Sequence, residues 1–552
     1  MGGTEVSTRP RRWAGWGFEG ERFEPPAEML AWLEHRLGPA ETPFPRVEPG
    51  HIAAPEPRRL PELPGEVSRD ALDRLTRARG QGLPDLLRLR AGTLPVLPDA
   101  VARPRSSEDV EALLRVCDGA GLRAIPRGGG TSVTGGVNVE PGEAPAVVLD
   151  LEHLAGLEDL DAASGLATFA AGTPGPRVEA ELGAHGFTLG HFPQSWELST
   201  VGGWVAARAS GQESLGYGSI RDLVAGIEMV APAGRLTLSA FPATAAGPDL
   251  RHLVLGSEGR LGVITRAVLR VRETPPPLTV WAILLPAWSD GLAAARELVQ
   301  EGVPLHLLRL SDEPETQVAL AVGLSGHPRL APLLRGWLKL RGIPDRGRGG
   351  CLLLLGTAGE DRQVRWIEEA AGRLAARHGG VSLGRRPGRH WVRDRFRHPY
   401  LRDALLDRGY ATDTLETAAP WSRLPALAGA IRRALEGALE RAGERVAALC
   451  HVSHPYRDGA SLYFTFFFRC PADLDEALTR WAAIKRTATD ALVASGGTLS
   501  HHHGVGTWHT PWLAREIGEG GVRVLAAVAR ELDPHGVMHP GVLLDPSDRL
   551  ES

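Results

Sequence analysis

The sequence predicts an α+β protein of more than one domain, and three observations support this prediction. The chain has 552 residues, more than one compact hydrophobic core usually holds. A strand–helix–strand pattern over residues 100–126 leads into a loop dense in glycine. Residues 274 to about 490 then alternate apolar strands with helices rich in arginine and alanine. We therefore expect two successive α+β domains.

The first 93 residues are rich in proline, arginine and tryptophan, and we expect them to form an extension that packs on the main body. Short helices are predicted within it at Pro26–Leu37 and Arg69–Arg79. The first strand of the main body is predicted at Ala100–Ala102.

The helix after this strand has clear start and stop signals. Ser106 followed by Asp109 fits the capping pattern that begins a helix. Gly119 and Gly121 end it, and a second strand follows at Leu122–Pro126. One apolar face is predicted from residues at helical spacing: Val110, Leu113, Leu114 and Cys117.

The remaining elements divide the chain into four predicted segments: 1–93, 94–274, 275–490 and 491–552. The second segment continues with predicted strands at Ala146–Leu151, Leu166–Ala171, Leu223–Val230 and Leu261–Val271, and with a helix near Arg177–His185. The third contains predicted strands at Thr279–Leu285, Leu352–Leu355 and Ser461–Phe468 and helices at Asp361–Arg377 and Leu424–Ala442.

Composition excludes several classes of function. The net charge is −4, so no strong positive electrostatic field favours binding to nucleic acid. The four cysteines are far apart and form no C-x-x-C, which argues against a disulfide framework and indicates a reducing, cytoplasmic environment. The polar segment Met1–Arg12 lacks the apolar core of a signal peptide. The apolar run that comes nearest to a membrane span, Leu278–Trp288, contains Pro286 and is predicted to be a strand. We expect no membrane span, and peripheral contact with the inner membrane face stays open.

A glycine-rich loop, Pro126–Gly136, follows the second strand of the main body. Consecutive glycines let backbone N–H groups approach an anion, and the hydroxyls of Thr131 and Ser132 add donors. The loop matches neither G-x-G-x-x-G opening a helix nor the lysine-containing P-loop. It therefore suits a pyrophosphate, although a glycine-rich surface turn has the same composition.

Two further segments combine glycine with small and hydroxyl-bearing residues. Gln194–Gly211 would let the backbone lie close against a flat ring, and Gly256–Ile264 is a turn that leads into a strand. Each segment alone is consistent with an ordinary turn, but the order and spacing of all three are specific.

Together these segments resemble the FAD-binding domain of the vanillyl-alcohol oxidase / p-cresol methylhydroxylase superfamily, over residues of about 94–274. The resemblance implies a two-subdomain FAD-binding domain followed by an α+β cap domain with an antiparallel sheet. No histidine lies in the first loop, so FAD is expected to bind non-covalently. The residues implied to bind it are Pro126, Arg127, Gly128, Gly129, Gly130, Thr131, Ser132, Gln194, Ser195, Trp196, Glu197, Leu198, Ser199, Thr200, Ala207, Arg208, Ala209, Ser210, Glu258, Gly259, Arg260, Leu261, Gly262, Val263 and Ile264.

Motifs outside this domain are similar to the alkyldihydroxyacetonephosphate synthase family, from about residue 12 to 544. They are Trp13–Phe18, Tyr400–Asp403, Glu416–Trp421, Ala460–Phe464 and Ser500–Gly506. Hydroxy-acid oxidoreductases of the superfamily usually have Glu-His-Gly where this chain has His502-His503-Gly504, which favours the ether-lipid branch.

The resemblance implies a transferase that exchanges the acyl group of acyl-dihydroxyacetone phosphate for a long-chain alcohol, with no net redox change. It implies that Tyr463 transfers the proton at C1, that Arg402 and Arg309 bind substrate, and that His501, His502 and His503 lie at the active site. A homodimer is also expected. The alternative is an FAD-dependent oxidase or dehydrogenase of a 2-hydroxy acid.

The three adjacent histidines leave other interpretations open. We expect no metal site from them, because three consecutive side chains cannot all converge on one ion without strain. A solvent-exposed polar turn has the same sequence.

Overall fold

The computed structural model describes residues 10–21, 23–40, 42–324 and 350–545. Most of Met1–Arg12, considered above as a signal sequence, lies outside these ranges. Helices of the N-terminal extension are α1 (Ala27–Leu37), α2 (Ala71–Arg77) and α3 (Leu83–Ala91). The first two predicted helices are thus confirmed with shorter bounds, and α3 was not predicted.

The first sheet contains the predicted strand–helix–strand unit. Its four strands lie in the order β1–β2–β4–β3, with β2, β4 and β3 parallel. Ser106 caps α4 by accepting from the backbone N–H of Asp109, and Gly121 ends it at a φ of 63°. The elements are β1 (Glu66–Ser68), β2 (Ala100–Arg103), α4 (Ser107–Ala120), β3 (Arg123–Arg127) and β4 (Ala146–Asp150).

The second sheet is antiparallel, with strand order β5–β6–β10–β8–β9. A short pair, β7 (Phe187–Thr188) with β11 (Arg272–Glu273), closes this half of the molecule. The other elements are β5 (Leu157–Asp161), β6 (Leu166–Ala170), α5 (Gly175–Gly183), α6 (Val201–Ala207), α7 (Ser214–Tyr217), α8 (Ile220–Leu223), β8 (Val224–Ala231), β9 (Gly234–Leu238), α9 (Arg251–Val254) and β10 (Val263–Arg270).

A seven-stranded antiparallel sheet forms the second half, in the order β15–β12–β14–β13–β17–β18–β16. Its strands are β12 (Thr279–Leu285), β13 (Leu307–Ser311), β14 (Cys351–Thr357), β15 (Val381–Gly384), β16 (Tyr410–Pro420), β17 (Val446–Pro455) and β18 (Gly459–Arg469). The helices around it are α10 (Trp288–Gln300), α11 (Glu313–Leu324), α12 (Asp361–Arg377), α13 (Arg386–Asp394), α14 (Leu401–Leu406), α15 (Leu424–Gly437) and α16 (Leu474–Ala494). Short 3₁₀ turns lie at Pro49–His51, Leu151–His153, His398–Tyr400 and Glu440–Ala442.

The ends of the chain join the two halves. Leu83 and Leu87 of α3 pack into the core of the seven-stranded sheet. Val522 and Ala526 of the last helix, α17 (Thr510–Leu532), pack into the core of the half that contains the first two sheets, which is the predicted FAD-binding half. The predicted segment boundary near residue 490 falls within α16, which continues to Ala494. No described helix has the length and apolar character needed to span a membrane.

Candidate active site

Tyr463 lies at the centre of strand β18, between two strands that also carry chemical groups. In the antiparallel register Tyr463 pairs with Glu416 on β16 and with His451 on β17. Its sequence neighbours Leu462 and Phe464 are fully buried, so strand alternation places the phenol on the opposite, half-buried face.

The Glu416 carboxylate holds the histidine loop that follows α16. It accepts the Ser500 hydroxyl at 2.7 Å and the backbone N–H groups of His501, His502 and His503 at 2.8, 3.1 and 3.0 Å. Burial raises the pKa of Glu416, but the neighbouring imidazoles and the Ser500 hydroxyl lower it well below its ordinary value. An ionised carboxylate therefore fixes the loop against the sheet.

The aromatic rings of the site stack around Tyr463. Its ring lies 5.0 Å from that of His451 and 6.0 Å from that of His502, with interplanar angles of 20° and 19°. The His503 ring meets its edge at 5.5 Å. The structure thus brings Tyr463 and the histidine loop together, as the sequence analysis requires.

These groups are neutral near pH 7. Burial lowers the pKa of His501 and of His503 to about 3, so near pH 7 each ring is a neutral hydrogen-bond donor and acceptor, not an imidazolium. Burial raises the pKa of Tyr463 to about 12, although a hydrogen bond with Thr414 and the charge of Arg402 lower it. The positive charge beside the phenol is therefore not enough, in the protein alone, to make it a phenolate.

The two predicted substrate arginines differ in their contacts. Arg402, on α14, donates to the carbonyl oxygen of Gln81 at 2.5 Å and lies close enough to Tyr463 to influence its ionisation. Arg309 lies 3.0 Å from both ring nitrogens of His451 and pairs with Glu315 at 2.6 Å. Arg309 thus reaches Tyr463 through His451, whereas Arg402 is near it directly.

The first glycine loop is held against the second predicted segment. A Cβ at Gly129 would lie 2.8 Å from the carbonyl carbon of Leu198 and 2.9 Å from Ser199 Cα, and one at Gly128 would overlap the Thr200 hydroxyl. The Arg11 guanidinium donates to the carbonyl oxygens of both Gly129 and Leu198, at 2.7 and 3.4 Å. Gly128 and Gly129 are therefore needed because a side chain at either position would overlap the second segment.

The same loop offers donors suited to a pyrophosphate. The backbone N–H groups of Gly129 through Val133 donate to no acceptor among the residues that the structure describes. Gly129 and Gly130 are buried, and the next three residues are half-buried. Successive N–H groups without a protein acceptor form the kind of concavity that binds phosphate oxygens. The loop therefore fits the pyrophosphate of FAD.

The third predicted segment contacts the loop that carries the histidines. Glu258, at a φ of 49°, accepts the backbone N–H groups of Val505 and Gly506 at 2.7 and 2.8 Å. Burial raises the pKa of Glu258 to about 7, although these two hydrogen bonds lower it. Glu258 thus joins the predicted FAD segment to the loop that carries the histidines.

The other predicted cofactor residues serve mainly protein contacts in this structure. Arg127 donates to backbone carbonyls of the extension, including that of Arg79 at 2.9 Å, and Arg260 pairs with Asp533 at 3.0 Å. Trp196 stacks on Phe396 at 5.2 Å. Arg208 is exposed at the end of α6, whereas these residues are buried: Ala209, Ser210, Gly259, Leu261, Gly262, Val263 and Ile264. Their roles toward FAD stay predictions.

Several residues of the site were not singled out from the sequence. They are Glu416, His451, His454, Tyr456 and Lys485, whose ammonium group donates to the Thr414 carbonyl at 3.0 Å. Glu416 belongs to a motif quoted above, but nothing in the sequence shows which backbone groups its carboxylate would meet. His451 and His454 could have been noticed as polar residues in an apolar strand.

Comparison with known proteins defines the class of the chain. Residues 98–239 match the family described as "FAD binding domain", and residues 274–543 match "FAD linked oxidases, C-terminal domain". A solved structure of p-cresol methylhydroxylase, 14% identical, covers 87% of this chain and 94% of its own with a TM-score of 0.63, which shows a shared fold. The chain is an FAD-dependent flavoprotein enzyme with a p-cresol methylhydroxylase-type FAD-binding domain.

Closer relatives define the family. Alkyldihydroxyacetonephosphate synthase of Dictyostelium discoideum is 30% identical over 517 residues, covering 91% of this chain and 84% of the relative. A solved alkyldihydroxyacetonephosphate synthase structure is 26% identical and has a TM-score of 0.81, covering 96% of this chain and 98% of its own. The chain belongs to the alkyldihydroxyacetonephosphate synthase family.

Proposed function

We propose that this enzyme exchanges the acyl group of acyl-dihydroxyacetone phosphate for a long-chain alcohol. The observation that carries the proposal is the position of Tyr463, whose ring stacks with those of His451 and His502. His502 lies on a loop whose backbone donates a hydrogen bond to Glu258 of the FAD-binding half. Bound FAD would supply an electron-accepting ring for a reaction without net redox change. Family membership supports the same reaction.

Tyr463 would move the proton at C1 of the substrate. Its pKa of about 12 makes the phenol an acid at neutral pH, so it needs a partner to take its proton before it can act as a base. The His503 ring meets the edge of the phenol at 5.5 Å, but burial lowers the pKa of His503 to about 3, so His503 would take the proton only when the negative charge of bound substrate raises that pKa.

Arg402 would bind the phosphate group. A guanidinium presents five N–H donors in a planar fork, and the contact with Gln81 accounts for one nitrogen of Arg402. The remaining donors could grip phosphate oxygens with two parallel hydrogen bonds. A substrate phosphate at this point would also place the C1 carbon near Tyr463.

The test is an anaerobic spectral titration of the FAD-loaded enzyme. Acyl-dihydroxyacetone phosphate should bleach the flavin absorbance with release of fatty acid and without an electron acceptor, and a long-chain alcohol should then restore the absorbance with release of the alkyl product. A panel of 2-hydroxy acids should leave the spectrum unchanged. Rapid reduction by a hydroxy acid, with no response to the acyl substrate, would instead support the oxidoreductase function.

Membrane contact and a homodimer belong to the same proposal. A long acyl chain is delivered from a bilayer, so the enzyme should bind its surface peripherally. Trp366, 59% exposed on α12, is a candidate contact within the cap half. Sedimentation with anionic vesicles, with and without Trp366→Ala, tests the contact, and light scattering of the purified enzyme measures its oligomeric state.

A further inference from the structure

Three histidines from two separate elements form a cluster beside the proposed active site. His501 and His502 come from the loop after α16, and His454 comes from the end of β17. One ring nitrogen of each lies within 4.8 Å of the other two. The argument against a metal at three adjacent histidines does not apply here, because the third ring comes from a different strand.

We propose that His454, His501 and His502 bind a divalent transition metal of the Zn²⁺ class. Zinc–imidazole bonds of about 2.0–2.1 Å in a tetrahedral site separate the ligand nitrogens by roughly 3.3 Å. The Nδ1 atoms of His501 and His502 are already 2.9 Å apart, and a ring nitrogen of His454 lies within 4.8 Å of a nitrogen on each of the other two rings. Three histidines leave one position for water or for a substrate oxygen.

The remaining nitrogens of two rings have partners that would orient them. The Ser214 hydroxyl lies 2.9 Å from Nδ1 of His454, and the Tyr456 hydroxyl lies 2.6 Å from Nε2 of His501. Metal-bound histidines commonly use their second nitrogen in this way, which fixes the tautomer and the ring orientation. The Glu416 carboxylate, 3.5 Å from Nδ1 of His502, adds a negative charge beside the ion.

The backbone at His454 directs its ring toward the cluster. The register of β17 against β18 shifts between Ser453 and Pro455, and His454 has a φ of 47°. A β-bulge of this kind re-aims a side chain, and a non-glycine residue in the left-handed region carries a cost in free energy.

The experiment measures metal binding by the full-length, FAD-loaded enzyme without an affinity tag or substrate. After removal of metals with a chelator, Zn²⁺ alone is titrated against a competing dye, and Co²⁺ is added separately to record its d–d absorption. We expect one equivalent of Zn²⁺ and the intense visible bands of tetrahedral Co²⁺. Binding without a defined stoichiometry, or octahedral Co²⁺ spectra, would overturn the proposal.

Variants identify the ligands. His454→Gln should weaken Zn²⁺ binding by more than about 100-fold and Ser214→Ala by about 10-fold, since changes behind the ligands alone cost about 10- to 100-fold. His503→Asn is the matched control, because it lies on the same loop outside the trio and should bind Zn²⁺ as the unmodified enzyme does. Equal losses in His454→Gln and His503→Asn would refute the ligand assignment. FAD content and the unfolding temperature of each variant report its folding, and the result stands whatever the enzyme's substrate is.

Discussion

Gly129→Ala should weaken FAD binding without unfolding the protein. The added methyl would lie 2.8 Å from the carbonyl carbon of Leu198 and 2.9 Å from Ser199 Cα, and closer to the Leu198 oxygen. Non-bonded carbon atoms attract at about 3.5–4.0 Å, so the two segments must separate by about 0.7 Å or more. All of these obstructing atoms belong to backbone, and no side-chain rotation can relieve the contact.

Overpacking of this size costs about 1–3 kcal/mol in a packed interior. If the separation displaces the donors of the loop from the pyrophosphate, the same energy corresponds to roughly 5- to 150-fold weaker FAD binding. The assay is titration of the FAD-free protein with FAD, followed by flavin fluorescence. Thermal unfolding of the FAD-free protein measures how much the substitution lowers the stability of the protein without FAD.

Gly119→Ala provides the matched control. Gly119 lies inside α4 of the same half, and a Cβ there would meet no atom within 4 Å. Alanine should stabilise that helix by about 0.5–1 kcal/mol and leave FAD affinity unchanged. If Gly129→Ala bound FAD as tightly as Gly119→Ala, the argument that these two segments form one cradle would be refuted.

Three further substitutions test the site and one buried group. Tyr463→Phe should retain FAD and fold but lower turnover by roughly 10²- to 10⁴-fold, because it removes only the acid–base hydroxyl; steady-state rates with equal flavin content check this. Arg402→Lys should raise KM for the acyl substrate more than it lowers kcat, since the ammonium keeps the charge but loses the paired donors. Burial raises the pKa of Asp85 to about 6 despite Arg79 nearby, so its contribution to stability is complete below about pH 4 and is lost as the pH rises through 6. Asp85→Asn should therefore reduce the difference in unfolding free energy between about pH 4 and pH 7 by about 3 kcal/mol, measured by denaturant titration.

Local signals explain what the sequence predicts well. The start of α4 depends on Ser106 and Asp109, three residues apart, and its end depends on Gly121, so the bounds follow from neighbours in sequence. The strand carrying Tyr463 and the loop carrying the three histidines are likewise visible in the apolar pattern and its interruption. The sequence also predicts that the glycine loop follows β3. It does not show that Gly129 is needed for close contact with the backbone of Leu198 as well as for access of a ligand.

Long-range packing explains what the sequence does not show. The last helix packs into the core of the FAD-binding half, more than two hundred residues after that half ends. Helix α3 of the extension packs into the core of the seven-stranded cap sheet. Both elements have ordinary amphipathic patterns that fit either core. No local property of Val522 or Leu83 determines which sheet it will meet.

Glu416 shows how a site can depend on register alone. In the sequence it is one acidic residue in a strand, with no spacing that marks it as functional. The pairing of β16 with β18 places it opposite Tyr463, and the loop after α16 then turns four donors onto its two oxygens. A shift of one residue in that pairing would turn the carboxylate to the other face of the sheet and release the histidines from it. The positions of His501, His502 and His503 relative to Tyr463 are therefore a property of the strand register, and the chemistry of the site depends on it.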